Sequence, residues 1–231
     1  MIVNGPVMDS PARSYQQFCG LARALDVVGE RWTLLIVRNL LLGPRRYGDL
    51  LAELPGITTN LLAKRLRHMA ASGLVRKTTM PPPASFVAYE LAPSGEALEP
   101  VVMELARWGG RFMDAPRPGD VFDVGWGLLS MKRRYRGGVD LLVELRIDER
   151  RFSLRMDASA VEVKERSADR PDLVVSGSLP AFRELFFSRA IARRDAATLR
   201  DDGVLVVEGT RAAFRDFARA FAPLPDVAAA R

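Results

Sequence analysis

Pro55-Gly56-Ile57-Thr58-Thr59-Asn60-Leu61-Leu62-Ala63-Lys64-Arg65-Leu66-Arg67-His68-Met69-Ala70-Ala71-Ser72-Gly73 carries its own beginning, end and sidedness. Pro55-Gly56 makes a turn, Thr58 offers a hydroxyl to the first free backbone N–H groups, and Gly73 is a natural stop. The pattern therefore predicts a helix from about Thr59 to Ser72. Leu62, Leu66 and Met69 share one face of it, and Thr59, Asn60, Ala63, Lys64 and Arg67 share the outward side. A shorter helix precedes it: Gly43-Pro44 closes the segment before, Arg45-Arg46-Tyr47 opens the helix, and Leu50, Leu51 and Leu54 face inward. Short helix, tight turn and amphipathic helix with a polar, basic outer face make a helix-turn-helix pattern. The second helix of such a unit fits the DNA major groove and reads base edges from its N-terminal end.

Charge points to the same place. The chain has 231 residues and a net charge of +6, a modest surplus until it is located. No acidic residue lies between Glu53 and Glu90, whereas Lys64, Arg65, Arg67, Arg76 and Lys77 lie inside that interval. On charge alone a solvated basic face and an anion-binding surface are equal readings; helical spacing favours the second. Lys64 and Arg67 lead as phosphate or base contacts, with Thr58, Thr59 and Asn60 at the helix start, Thr58 also serving as cap. Arg65 stands at the edge of the buried face, where it either braces the helix or meets DNA. Arg45 and Arg46 open the shorter helix, where charge and free N–H groups can hold a phosphate. His68, the only histidine, reads as a surface residue beside the DNA.

Outward from this unit, Leu74 to Thr79 and Phe86 to Leu91 flank the proline-rich residues 80–85 as a hairpin, a wing whose basic stem offers Arg76 and Lys77 to the backbone. Upstream, Leu21, Leu25, Val28, Trp32, Leu35, Ile36 and Leu40 step by three and four across one or two helices, interrupted at Gly29. Downstream, Ser94 to Met113 reads as one helix. Its apolar side, Leu98, Val101, Val102, Leu105, Trp108 and Phe112, is too wide for one small domain, and a second subunit would cover it. Trp32 and Trp108 read as core or dimer-interface residues.

The order of residues resembles the HxlR family of bacterial winged-helix regulators over about residues 15 to 113. The resemblance is carried by Cys19-Gly20, Val28-Gly29-Glu30-Arg31-Trp32-Thr33, Leu40-Leu41-Leu42-Gly43-Pro44-Arg45-Arg46-Tyr47, Gly56-Ile57-Thr58, Leu62-Ala63-Lys64-Arg65-Leu66, Ser72-Gly73-Leu74-Val75, Tyr89-Glu90-Leu91, Ser94-Gly95 and Leu105-Ala106-Arg107-Trp108. It implies a homodimer on double-stranded DNA, at a pseudo-palindromic operator, that represses or activates nearby genes. The family commonly has Cys-Pro where this chain has Cys19-Gly20. The resemblance also implies a redox role for Cys19, the residue on which some members sense electrophiles or oxidants. The residues themselves leave two readings open: a thiolate favoured by Arg23 on the same helix face, or a quiet, partly buried thiol.

A Pro/Gly hinge, Asp114 to Asp120, ends the helical pattern. Beyond it Trp126 to Met131 reads as a helix, and Val139, Leu141, Val143, Leu145 and Ile147 alternate with Asp140, Glu144 and Arg146. Phe152-Leu154-Met156, Val161-Val163, Leu173 to Val175 and Val204 to Val207 complete a five-strand pattern, with one amphipathic helix before the last strand and one after. The order, with Pro171 to Ser178 and Gly203 to Gly209, resembles the sterol-carrier-protein fold over about residues 120 to 222, which implies a site for fatty acyl chains or other lipids. Phe182, Leu185, Phe186, Phe187, Phe214, Phe217 and Phe221 are the candidate lining residues, against the plainer reading that they fill a core.

The expected fold is α+β. A winged helix-turn-helix domain over residues 1–115, mainly α with a β-hairpin wing, precedes a sterol-carrier-protein-like α+β domain over 120–222 with a five-stranded sheet, and 223–231 form a flexible tail. One cysteine permits no intrachain disulfide, and one cysteine with one histidine leaves no zinc cluster, so neither metal nor cofactor is expected. No nucleophile–base pair, Gly-rich phosphate loop or dinucleotide pattern supports an enzyme. Apolar runs fall short of a bilayer span and the first residues lack a signal-peptide pattern, so a cytoplasmic protein without membrane insertion is expected. Two functions remain: a DNA-binding regulator modulated by a small hydrophobic effector, or a lipid-binding carrier or interaction protein that uses its N-terminal domain mainly to dimerise. Double-stranded RNA suits a recognition helix poorly, because its major groove is narrow.

Overall fold

The computed structural model describes residues 14–80, 85–113, 117–182 and 205–221. Leu185, Phe186, Phe187, residues 114–116 of the hinge and the tail 223–231 lie outside the described residues. Backbone contacts divide the chain into two compact units, Met1–Val102 and Met103–Arg231.

In the first unit α1 (Gly20–Val28) ends where Gly29 donates its N–H to the Leu25 carbonyl, and α2 (Thr33–Leu40) begins after Trp32, held at φ 83°. Helices α3 (Tyr47–Glu53) and α4 (Thr59–Ala71) follow. Ile36, Val37, Leu50, Leu62 and Met69 are fully buried and hold the three helices α2 to α4 on one core, while Leu51 is half-buried. Helix α4 closes as its sequence anticipates. Gly73 adopts φ +69°, its N–H donates to the Ala70 carbonyl (3.0 Å), and the Leu74 N–H donates to the Met69 carbonyl (2.8 Å). This glycine-dependent end satisfies carbonyls that the helix leaves open.

Strands β1 (Val75–Thr79) and β2 (Val87–Leu91) pair antiparallel, with Lys77 opposite Tyr89. Arg45 joins the same hairpin through reciprocal backbone bonds with Tyr89, 2.9 and 2.8 Å. The helix expected over 94–113 is in fact two, α5 (Pro93–Glu96) and α6 (Glu99–Gly109), followed by a 3₁₀ turn at Gly110–Phe112. Pro100 explains the break: it has no N–H for the Glu96 carbonyl and its ring clashes there, but it fits the first turn of a new helix.

The second unit places α7 (Val124–Lys132) and α8 (Arg211–Arg219) against a five-stranded sheet of order β5-β4-β3-β6-β7. The strands are β3 (Leu141–Ile147), β4 (Arg150–Met156), β5 (Val161–Lys164), β6 (Leu173–Gly177) and β7 (Leu205–Gly209); β3 and β6 run parallel, the other pairs antiparallel. The expected α+β class and five strands are present. Val143, Leu145, Phe152, Leu154, Leu173 and Val175 line one wholly buried face, as their period of two requires. Glu144 lies on the opposite face, as the alternation predicts, and is buried there. Arg146 donates to one carboxylate oxygen (2.6 Å) and the Ala168 N–H, from a loop that folds over the sheet, to the other (2.8 Å). Among the described residues no helix is long and apolar enough to cross a membrane.

Candidate nucleic-acid interface

Two contacts set the start of helix α4. Thr58 accepts the Leu61 N–H (3.3 Å), so its hydroxyl serves as the cap. The Tyr47 hydroxyl, from α3, donates to the Thr59 carbonyl (2.6 Å) and fixes the helix start against the preceding helix. Tyr47 was not singled out as a site residue, and its aromatic character alone gave no sign of this hydrogen bond. Thr59, Asn60, Lys64 and Arg67 are all exposed, and Asn60, Lys64 and Arg67 fall at steps of four and three, one stripe along the helix. Neither Lys64 nor Arg67 has an ion-pair partner among the described residues. The stripe is thus a helical surface with hydrogen-bonding groups at its N-terminal end and free positive charge behind them, the distribution that base-edge and phosphate contacts use.

Two expected contacts are placed inside the domain. Arg65 is 8% exposed and its Nη2 lies 2.6 Å from Glu30 Oε2, so it braces α4 to the turn between α1 and α2. Arg45 is 7% exposed and its Nε meets Glu53 Oε1 at 3.0 Å; Glu53 also accepts from the Asn39 amide (3.0 Å), linking α2 to α3. The Arg46 N–H at the start of α3 is likewise engaged, accepted by Asp49 (3.1 Å). Arg46 itself is exposed and stacks over Phe86. On the wing, Lys77 is exposed and lies over Tyr89, 5.8 Å from its centroid, while Arg76 is exposed but paired with Glu90 at 2.7 Å. His68 is half-buried on α4.

Cys19 is exposed, so the reading of a partly buried thiol does not hold. Its thiol is held below the usual range by the backbone N–H groups of Ala22, chiefly, and Leu21, which it faces from the N-cap of α1. Arg23, expected as the stabilising cation, pairs instead with Asp26 at 3.5 Å. In the second unit Phe182, Phe214 and Phe217 are buried at 1 to 4% exposure, and Phe221 packs on Phe217 and Tyr135 with ring centroids 5.7 and 5.6 Å apart.

Comparison with known proteins places the first unit among regulators. The family model "HxlR-like helix-turn-helix" matches residues 27–117. The chain is 32% identical over 92 residues to the HTH-type transcriptional regulator YvaP of Bacillus subtilis, covering 40% of this chain and 85% of that protein. It is 35% identical over 99 residues to YkvN of the same organism, covering 42% and 81%. It is 32% identical over 97 residues to YodB, also of Bacillus subtilis, covering 42% and 84%. The solved structure of the reduced form of YodB matches at 30% identity and a TM-score of 0.37, over 45% of this chain and 100% of that one.

Proposed function

The chain belongs to the HxlR-like helix-turn-helix family of transcriptional regulators, and from that premise we propose that it binds double-stranded DNA as a homodimer on a pseudo-palindromic operator. The observation that carries the reading is the stripe Thr59, Asn60, Lys64 and Arg67 on α4, exposed and, among the described residues, free of acidic partners. Thr59 and Asn60 stand where base edges are read, Lys64 and Arg67 where phosphates are met, and Lys77 extends the contact through the wing. A second copy is the occupant proposed for two apolar surfaces: Leu21 and Leu25 on α1, 68% and 38% exposed, and Val101, Leu105 and Trp108 on α6, 50%, 47% and 55% exposed. Two copies related by a two-fold axis set half-sites about 10 base pairs apart.

The test is a mobility-shift titration of the full chain on DNA from upstream of its own gene, in the presence of unrelated competitor. The expected complex resists competitor, weakens steeply with salt, and loses affinity in Lys64→Ala/Arg67→Ala. Leu105→Asp is expected to give monomers in sedimentation and weaker DNA binding. Equal displacement by any competitor would overturn sequence-specific reading.

The second unit is read as the module for a small hydrophobic effector, with the sterol-carrier-like arrangement as its frame. What supports this is the apolar sheet face and the burial of Phe182, Phe214 and Phe217. An effector acts on DNA binding only through a difference in its affinity for the two states of the dimer. Native mass spectrometry and thermal shift across a fatty-acyl panel test it: a ligand adduct and a raised midpoint are expected, and their absence removes the effector from the scheme.

A further inference from the structure

We propose that Phe86, at the loop end of the wing hairpin, is a positioning residue that holds the Arg46 guanidinium flat so that its free edge grips a DNA backbone phosphate beside the start of α4. The inference rests on the DNA-binding reading above and adds Phe86, a residue to which that reading gives no role.

Four arginines of the first unit invite comparison. Arg45, Arg65 and Arg76 each end on a carboxylate, of Glu53, Glu30 and Glu90. Arg46 has no ion pair among the described residues; its partner is the ring of Phe86, whose centroid lies 3.6 Å from Cζ. A guanidinium that aimed an N–H at the ring, or met the ring at its edge, would stand farther off, so the group lies flat over the face. Flat stacking uses one face of the guanidinium and leaves its N–H donors directed outward in its plane, the geometry that grips two phosphate oxygens together.

Both neighbours of Arg46 are anchored. Arg45 is bound to Tyr89 of β2 by its backbone N–H and carbonyl, and the Tyr47 hydroxyl donates to the Thr59 carbonyl at the head of α4. Arg46 therefore projects from a point tied at once to the wing and to the recognition helix, and its neighbour's contact puts it beside the N-terminal end of that helix. Phe86 then removes the remaining freedom of a long side chain before DNA arrives, which saves the ordering entropy that a free arginine loses on binding. A solvated surface arginine without a role needs neither the ring nor the double anchorage.

Fluorescence anisotropy with the full chain and its upstream DNA, at several salt concentrations, tests the proposal. Arg46→Ala is expected to weaken binding and to lower the salt slope by about one. Phe86→Leu is expected to weaken binding about two- to fivefold, the range of an exposed cation–π contact, on specific and unrelated DNA alike. Phe86→Tyr should restore binding, Arg46→Lys should not restore a flat bidentate contact, and Phe86→Leu should add nothing in the Arg46→Ala background. Equal loss from Phe86→Leu with and without Arg46 would mean that the ring acts by itself and would overturn the proposal, as would an unchanged affinity in Phe86→Leu. Lys64→Ala/Arg67→Ala separates the two levels: if it weakens binding while both Phe86 and Arg46 variants do not, this inference alone falls. If the parent chain shows no salt-dependent DNA binding, the reading beneath it falls as well.

Discussion

Arg65→Ala should unfasten α4 without touching the DNA-facing stripe, and its size follows from the geometry. The guanidinium is 2.6 Å from Glu30, with side-chain exposures of 10% for Arg65 and 38% for Glu30. Removing one partner of a fully buried pair costs about 3–5 kcal/mol, mostly by stranding the other charge. Glu30 keeps water access and rehydrates, which brings the loss toward that of a hydrogen bond to a charged group, about 1.5–3 kcal/mol. If α4 opens by that much less free energy, hydrogen exchange of its backbone amides, read by mass spectrometry, should accelerate roughly 10- to 150-fold. Lys64→Ala and Arg67→Ala, on the exposed side, should leave exchange within about twofold of the parent. They should instead lower the salt slope of DNA binding by about 0.9 each. Unaltered exchange in Arg65→Ala, together with a salt slope reduced like that of Lys64→Ala, would refute the assignment of Arg65 as a brace and return it to the interface.

Two glycines separate close packing from open space: a methyl group at Gly95 would run into the Leu74 carbonyl and lie 3.0 Å from Leu91, whereas Gly48 in α3 has nothing within 4 Å. Thermal melts should show Gly95→Ala destabilised by about 1–3 kcal/mol and Gly48→Ala stabilised by about 0.4–1 kcal/mol. Iodoacetamide should alkylate Cys19 with half-maximal rate at a lower pH in the folded chain than in urea, because the Ala22 and Leu21 N–H groups favour the thiolate; coincident profiles would remove the helix start as the cause. Burial pushes the Glu144 carboxyl up, but Arg146 and the Ala168 N–H overcome it and leave it below the usual range. Its stabilising effect is therefore complete above the unfolded pKa and lost as pH falls through the folded one, so the stability gap between the parent and Glu144→Gln should close in acid, as followed by urea unfolding.

Features with local causes were legible in the sequence. The hydroxyl of Thr58, the steps Leu62, Leu66 and Met69, and Gly73 each act within a few residues, and α4 spans Thr59–Ala71 as they require. The five strands were equally local, since alternation reports one buried face. Pro100 was a visible signal for the break between α5 and α6 that apolar spacing outvoted. The fate of each arginine was not local. Arg45 and Arg46 are neighbours of one residue type, yet a bridge to Tyr89 and a carboxylate from the far end of α3 draw the first inward, while a ring from the wing holds the second at the surface. Alternation gave the face of Glu144 but not its burial, because a loop beginning after β5 closes over it.

The acid-free interval between Glu53 and Glu90 shows what such a pattern does and does not measure. Acids at or outside its borders reach in: Glu30 takes Arg65 and Glu90 takes Arg76. Lys64, Arg67 and Lys77 remain without an acidic partner among the described residues, and Arg46, from outside the interval, joins them on its aromatic seat. These four side chains set the electrostatic reach of each copy, because only cations not already neutralised displace counterions from DNA. Four phosphates per copy correspond to a salt slope of at most about 3.6, and two copies on one operator to about 7. The steepness of log affinity against log salt, measured by anisotropy on the full operator, thus tests the whole charge assignment at once. A slope well above that bound would mean that Arg65 or Arg76 leaves its carboxylate on binding or that cations elsewhere in the chain meet the DNA, and in either case the division between bracing and contacting arginines would have to be redrawn.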